Sequence, residues 1–132
     1  MNIALLANEK KKELMVQFCI AYAGILSKHS LWAPSALGNL VGETTGLQIN
    51  KMLSGPHGAE DQIASRISCE EIDVLLFFRD PHTPSTRRTE EAGILRMCDV
   101  HNVPVATNIA TAEVIIMALD RGDLDWIDIS KR

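Results

Sequence analysis

One nearly uninterrupted apolar run constrains the fold of this chain more than any other feature. Positions 72 to 78 read IDVLLFF, and every residue except Asp73 is apolar. A strand with one face in water alternates apolar and polar residues, whereas a strand covered on both faces is apolar almost throughout. The run therefore predicts a strand from Ile72 to Phe78 in the interior of a sheet.

The rest of the chain alternates short apolar runs with stretches whose apolar residues recur at helical spacing. Further strands are predicted at Ile3 to Ala7, Leu31 to Ala33, Leu47 to Leu53 and Val103 to Ala106. Helices are predicted at Leu14 to Leu26, Leu40 to Thr45, Gly58 to Cys69, Glu90 to His101 and Thr111 to Leu119. Strands that alternate with helices favour right-handed crossovers and a parallel sheet. We expect residues 1–132 to form a single three-layer α/β domain, with a five-stranded parallel sheet and helices on both faces.

Composition and charge narrow the range of partners. The net charge is −4 and the sequence has no basic stripe, so nucleic acid is not an expected partner. No stretch approaches the roughly 20 apolar residues of a membrane span, and no basic segment precedes the first apolar run, which favours a cytoplasmic protein. Cys19, Cys69 and Cys98 lack CxxC spacing and are predicted to be buried, reduced thiols. The four histidines show no metal-ligand spacing, and neither a metal nor a cofactor is expected.

The predicted topology indicates where a ligand binds. Open parallel sheets bind ligands in the crevice beyond the carboxyl ends of their strands. Five segments fall there and are rich in Gly, Ser, Thr, Asn and carboxylates, as in a site for a small polar ligand. They are Asn8 to Lys12, Pro34 to Gly38, Ser54 to Asp61, Asp80 to Glu90 and Asn108 to Thr111.

Three features of these segments have two interpretations each. Ser54 and Gly55 precede a predicted helix, where backbone N–H groups hold an anion or simply form a capped turn. Lys10 to Lys12 lie at the N-terminal, positive end of a predicted helix. They either bind a ligand or form an ordinary run of charges exposed to solvent. Asp80 follows the apolar strand, either at the rim of the crevice or as an ordinary turn residue.

Five blocks of the sequence resemble the methylglyoxal synthase family in the same order and with nearly the same spacing. They are IALLANEKKK, LSGPHGAEDQ, IDVLLFFRDPHT, CDVHNVPVATN and ALDRGDLD. The resemblance implies a homohexameric lyase that converts dihydroxyacetone phosphate to methylglyoxal and inorganic phosphate without a cofactor or metal. In that reaction a carboxylate removes a proton from the hydroxymethyl carbon, and the enediolate then expels phosphate.

The family's phosphate-binding positions are only partly retained. Three of them are held here by Lys12, Ser54 and Gly55. In the block that matches the family's ATGTTG, Pro34, Ala36 and Leu37 stand where the family has hydroxyls. The loss of three hydrogen bonds to phosphate would weaken phosphate binding by about 4 to 9 kcal/mol unless Ser35 or water molecules replace the missing donors.

Carboxylates remain at the family's acid–base positions. Glu60 stands where the family has its proton-abstracting aspartate, with Asp61 as the alternative base. Asp80 is retained, and Glu9 and Glu90 each replace an aspartate. Because glutamate is one methylene longer, the reacting groups shift, and a misplacement near 1 Å can cost on the order of a hundredfold in rate.

Two family histidines are replaced by residues that do not titrate near neutral pH. Asn8 replaces the first, and Arg87 replaces the second. Arg87 can donate to a developing oxyanion but cannot shuttle a proton. In a hexamer, Arg132 is a candidate cation for a neighbouring subunit's crevice.

Three functions remain open from these residues. The first is a lyase with the family's own substrate, and the second is a diverged lyase with another substrate. The third is a noncatalytic ligand-binding or regulatory protein, because the same fold serves as a ligand-sensing domain in carbamoyl phosphate synthetase. The retained acids favour the lyases, and the apolar residues at positions 34, 36 and 37 favour a changed or noncatalytic site.

Overall fold

The structure is a computed structural model and describes residues 1–52, 58–82 and 85–130. Five strands form one sheet in which every neighbouring pair is parallel. The order across the sheet is β3-β2-β1-β4-β5. The strands are β1 (Asn2–Ala7), β2 (Ser30–Pro34), β3 (Ile49–Met52), β4 (Val74–Phe78) and β5 (Val105–Ala106).

Helices connect the strands and follow the last one. A short 3₁₀ turn at Glu9–Lys11 leads from β1 into the first helix. The helices are α1 (Lys12–Ala21), α2 (Ala23–Leu26), α3 (Ser35–Thr45), α4 (Gly58–Ser68), α5 (Ser85–His101), α6 (Ile109–Asp120) and α7 (Trp126–Ser130). These observations confirm the predicted parallel sheet with helices.

The apolar run lies where the sequence predicts it. Strand β4 pairs with β1 on one side and β5 on the other, and all five of its residues are buried. Its side chains alternate between two hydrophobic clusters. Val74, Leu76 and Phe78 belong to one cluster, whereas Leu75 and Phe77 belong to the other. Both faces of the strand are therefore covered, which explains why its sequence does not alternate with polar residues.

Different helices cover the two faces of the sheet. The first cluster contains buried residues of α1, α3 and α6, including Phe18, Leu37 and Ile116. The second contains buried residues of α4 and α5, including Ile63 and Ile94. The arrangement is a three-layer sandwich, and the starts of α3, α4 and α5 lie at the carboxyl edge of the sheet because each follows a strand.

Four helices begin earlier than predicted, α1 and α6 by two residues and α3 and α5 by five. The predicted helix from Leu14 to Leu26 is divided into α1 and α2. Helix α3 starts at Ser35 rather than near Leu40, so most of the predicted loop from Pro34 to Gly38 is helical. Helix α5 starts at Ser85 rather than Glu90. The first turn of α5 is polar, and in the first turn of α3 a single leucine stands among small residues. An apolar periodicity therefore becomes visible only further along each helix.

The three cysteines do not share one environment. Cys19 and Cys98 are buried, as predicted, and burial raises the pKa of Cys19 to about 12 and that of Cys98 to about 11. The prediction is wrong for Cys69, which is exposed. Helix α4 ends at Ser68, so Cys69 lies in the turn after the helix rather than on its buried face.

Candidate active site

The candidate site lies where the strand order of the sheet reverses. The chain builds β1, β2 and β3 outward on one side and then returns to place β4 next to β1. At such a switch point the segments after the two central strands diverge and leave a crevice. Here Asn8, directly after β1, donates its backbone N–H to the carbonyl of Phe78 at 3.0 Å.

The side chain of Asn8 joins the two segments that leave these strands. Its Oδ1 accepts a hydrogen bond from the backbone N–H of Asp80. Its Nδ2 donates to Oε2 of Glu91 on α5, at 3.5 Å. One amide thus contacts both the segment after β4 and the helix that follows it.

Glu91 is one of two charged residues that are buried in the described part of the chain. It is 2% exposed. Its Oε1 accepts from Nε of Arg79 at 2.8 Å, in an ion pair whose arginine side chain is 32% exposed. Both carboxylate oxygens therefore have donors, as a buried charge requires.

Asp80 lies two residues after the end of β4, at the carboxyl edge of the sheet where the sequence predicts a crevice. Asp80 is half-buried, and its Oδ1 accepts a hydrogen bond from the backbone N–H of His82 at 2.9 Å. This is the turn geometry that an aspartate after a strand often adopts. Both interpretations of Asp80 are thus compatible, because the turn itself fixes the carboxylate at the carboxyl edge.

Glu9 and Lys12 form an ion pair beside the same crevice. Lys12 Nζ lies 2.9 Å from Oε2 of Glu9, across a spacing of three residues. The Glu9 side chain is 84% exposed, whereas that of Lys12 is only 28% exposed. An exposed pair of this kind is worth at most about 1 kcal/mol, so an incoming anion can replace Glu9 as the partner of Lys12 at little cost.

The predicted phosphate loop is the start of helix α3. Ser35 is the first helical residue, and its hydroxyl donates to the carbonyl of Met52 at 2.8 Å, which links the ends of β2 and β3. Ala36 is exposed, but Leu37 is buried in the core, at 2% exposure. The Leu37 side chain therefore stabilises the helix against the sheet and does not line the crevice.

The remaining predicted residues differ in how much of them is described. Glu60 lies in the first turn of α4, and Glu90 in α5; both are half-buried. Arg87 lies in α5, but its side chain is not among the described groups. Ser54, Gly55 and Arg132 lie outside the described residues. Asn108, in the fifth predicted segment, accepts from the backbone N–H of Thr111 at 3.1 Å and caps helix α6.

The sequence interpretation missed Glu91 and Arg79. Glu91 precedes the buried residues Ile94 and Cys98 by three and seven positions, so helical spacing places it on the buried face of α5. A carboxylate on an apolar face needs a cation or several donors. Arg79, which directly follows the apolar strand, is the cation that pairs with it, at 2.8 Å.

Neither a metal cluster nor a membrane span is found among the residues that the structure describes. Within residues 1–52, 58–82 and 85–130, no three His, Cys, Asp or Glu side chains are grouped as metal ligands would be. In the same ranges no helix is long and apolar enough to span a bilayer.

Several known proteins that share the name methylglyoxal synthase are similar in sequence to nearly the whole chain. Methylglyoxal synthase of Caldicellulosiruptor saccharolyticus is 56% identical over 129 residues, which cover 98% of this chain and 92% of that protein. Methylglyoxal synthase of Clostridioides difficile is 47% identical over 131 residues, covering 99% of this chain and 96% of that protein. No family model matches the chain.

A solved structure leads to the same family. The crystal structure of methylglyoxal synthase from Elizabethkingia anophelis superposes with a TM-score of 0.77 and is 34% identical. The match covers 87% of this chain and 76% of that chain. The similarity in sequence and in fold confirms the resemblance that the five sequence blocks indicate.

Proposed function

Because the chain belongs to the methylglyoxal synthase family, we propose that it converts dihydroxyacetone phosphate to methylglyoxal and inorganic phosphate. The observation that carries the proposal is identity of 47 to 56% to methylglyoxal synthases over almost the full chain. The position of the retained acids at the carboxyl edge of the sheet supports it. None of the similar proteins named above favours the noncatalytic alternative.

The reaction is an elimination that needs a base, an oxyanion donor and an anion site. The base removes a proton from the hydroxymethyl carbon, and the electron pair forms an enediolate with the carbonyl carbon. The oxygen on the former hydroxymethyl carbon then becomes an aldehyde as the C–O bond to phosphate breaks. The remaining enol takes a proton on its methylene carbon to give methylglyoxal, so that neither water nor an oxidant is consumed.

We assign the base to Glu60. Its carboxylate lies in the first turn of α4, half-buried, where it is partly shielded from water yet close to the crevice. Asp61, the alternative, is exposed. Partial desolvation strengthens a carboxylate's interactions with a nearby substrate, which favours Glu60 over its neighbour.

The other acids and Arg87 complete the proposed catalytic set. Asp80 is held at the rim by its bonds to Asn8 and His82. Glu90 lies on α5 one residue before Glu91, and Glu91 contacts Asn8, so this turn of α5 lies beside the crevice. Arg87 lies in the first turn of the same helix and is proposed to donate to the enediolate oxygen, and Glu9 is proposed as an outer acid.

The phosphate is proposed to bind on the other side of β1. Lys12 supplies a cation whose present partner, Glu9, is exposed. The N-terminus of α3, an 11-residue helix, lies at the same edge, where the helix dipole favours an anion. Ser35, Ser54 and Gly55 complete the proposed cradle. Since Leu37 is buried, fewer phosphate donors are lost to substitution than the sequence indicates.

We further propose a cytoplasmic homohexamer. Helices α1 and α6 expose large apolar side chains, with Ile20 52%, Val114 68% and Met117 43% exposed. A contiguous exposed apolar surface marks an interaction site, and we propose that these side chains contact a neighbouring copy of the chain. Light scattering at micromolar concentration should report six chains; a monomer alone would contradict the hexamer and the role of Arg132 in a neighbour's crevice.

The activity is tested by supplying purified protein with dihydroxyacetone phosphate. Inorganic phosphate and methylglyoxal should appear at equal rates, because the elimination releases one of each. Phosphate release without methylglyoxal would indicate simple hydrolysis. Tight binding of the substrate with neither product would favour the noncatalytic alternative.

A further inference from the structure

The ion pair between buried Glu91 and half-buried Arg79 is not used directly by the proposed reaction. Glu91 does not face solvent, being 2% exposed, and its second oxygen lies 3.5 Å from Nδ2 of Asn8. Arg79 Nε binds the first oxygen at 2.8 Å. Arg79 thus holds the Glu91 carboxylate in place, and the carboxylate in turn contacts the Asn8 amide.

The charge of Glu91 selects one of the two orientations of the Asn8 amide. An ionised carboxylate only accepts hydrogen bonds, so the amide must present its NH₂ group to Glu91. The amide oxygen then faces the backbone N–H of Asp80, which can only donate. With the amide reversed, its oxygen would face the carboxylate and its NH₂ group would face an N–H, and both contacts would be lost.

We propose that Glu91 is a positioning residue that orients Asn8 and, through Asn8, holds Asp80 at the rim of the crevice. The inference rests on the proposed function for its consequence, since Asp80 belongs to the proposed catalytic set. Its geometric part, the chain of contacts from Arg79 through Glu91 and Asn8 to Asp80, rests on the structure alone.

The first test replaces the carboxylate with an amide of the same shape. In Glu91→Gln, the side chain can present either a donor or an acceptor to Asn8, so the orientation of Asn8 is no longer selected. We expect kcat to fall at least about tenfold with KM within about twofold, since a misplaced catalytic group affects the transition state more than binding. Glu113→Gln, on the exposed face of α6, is the matched control and should leave both constants unchanged.

The second test exchanges donor and acceptor across the contact. Asn8→Asp places two carboxylates face to face and should lower kcat at least about tenfold at pH 8. The double variant Asn8→Asp/Glu91→Gln restores a complementary pair, because the introduced glutamine can donate to the introduced aspartate while still accepting from Arg79. Its kcat should return to within about threefold of the unsubstituted chain, a rescue that two merely structural defects would not show.

A pH profile separates this role from general loss of structure. In Asn8→Asp alone, protonation of one facing carboxylate restores a donor between them. Its kcat relative to the unsubstituted chain should therefore recover as pH falls from 8 to 6, whereas that of the double variant should stay level. A double variant no better than the weaker single variant, or single variants within twofold of the unsubstituted kcat, would overturn the proposal.

Hydrogen exchange tests the geometry without turnover. The Asp80 amide should exchange at least about threefold faster in Glu91→Gln and return to the original rate in the double variant. If the chain forms no methylglyoxal but the exchange pattern appears, the proposed function fails and the positioning role holds. If exchange at Asp80 is the same in all variants, the positioning role fails whatever the activity.

Discussion

The two buried carboxylates of the described residues lie at opposite edges of the sheet, near the two ends of β4. Asp73, 5% exposed, directly precedes β4 at the amino edge of the sheet. Its Oδ2 accepts from the backbone N–H of Asn2 at 2.7 Å, and its own N–H donates to the Asn2 carbonyl at 2.8 Å. Glu91, beyond the carboxyl edge, is instead bound by the side chains of Arg79 and Asn8.

The difference lies in what each carboxylate holds in place. A carboxylate bound to backbone fixes the path of the chain, and Asp73 joins the starts of β4 and β1. A carboxylate bound to side chains fixes the orientation of groups that can take part in chemistry. We infer that the amino edge is built for stability and that the carboxyl edge combines stability with function, as the topology of open parallel sheets favours.

The largest expected effect comes from the proposed base at the carboxyl edge. Glu60→Gln keeps the shape of the side chain and removes its basicity, so turnover should fall at least about a hundredfold. The free energy of unfolding should change little, because Glu60 is only half-buried. Steady-state kinetics and urea denaturation measure the two quantities.

Asp61→Asn is the matched control for that variant. Asp61 is the next residue and is exposed, so replacing its carboxylate with an amide should leave turnover near the original value. If Asp61→Asn lost the activity and Glu60→Gln kept it, the base would be Asp61. If both kept it, the acid–base chemistry would lie elsewhere in the crevice.

The second prediction concerns the carboxylate at the amino edge. Asp73→Ala removes the acceptor of a backbone N–H and should lower the free energy of unfolding by about 1 to 3 kcal/mol. The kcat and KM of the folded variant should stay unchanged, since Asp73 is at the end of β4 away from the crevice. Asp99→Ala, at an exposed position of α5, is the stability control. A loss of kcat without a loss of stability would break the contrast between the two edges.

The sequence predicts the sheet better than it predicts the site. The run around Val74 to Phe78 identifies the central strand because burial of both faces removes any alternation. The first turns of α3 and α5 carry no apolar stripe, so the sequence predicts later starts than the observed Ser35 and Ser85. The pairing of Glu91 with Asn8 spans 83 positions and could not be predicted from spacing.

The buried face of a helix also limits what position-by-position matching can say. Leu37 occupies a position at which the family carries a hydroxyl, and the match alone places it in the phosphate cradle. The structure directs its side chain into the core. Matching gives the place in the sequence, whereas the direction of the side chain depends on where the helix begins.

The third prediction concerns the proposed phosphate cation. Lys12→Met keeps much of the side-chain volume and removes the charge, so the Kd for inorganic phosphate should rise about tenfold. Lys10→Met, at an exposed position of the preceding turn, is the control and should change the Kd little. Calorimetry measures both. Equal effects from the two variants would indicate a general electrostatic attraction rather than a contact of Lys12 with phosphate.

The smallest effect is expected at His29, near the amino edge, and it appears only as a pH dependence. Burial, followed by the nearby N-terminal ammonium, lowers the pKa of His29 from its ordinary value of 6.5; Lys28 acts in the same direction, and Asp120 and Asp125 oppose it. The N-terminal nitrogen lies 3.2 Å from Nδ1, a contact that a protonated ring could not accept. Because the unfolded chain binds this proton more readily, acid should favour unfolding as pH falls below about 6.5.

Melting temperatures at pH 7.5 and 5.5 should therefore differ less in His29→Gln than in the unsubstituted chain. The control His82→Gln, at an exposed position, should keep the full difference. An equal loss in His29→Gln would show that His29 does not contribute to the acid sensitivity of the fold.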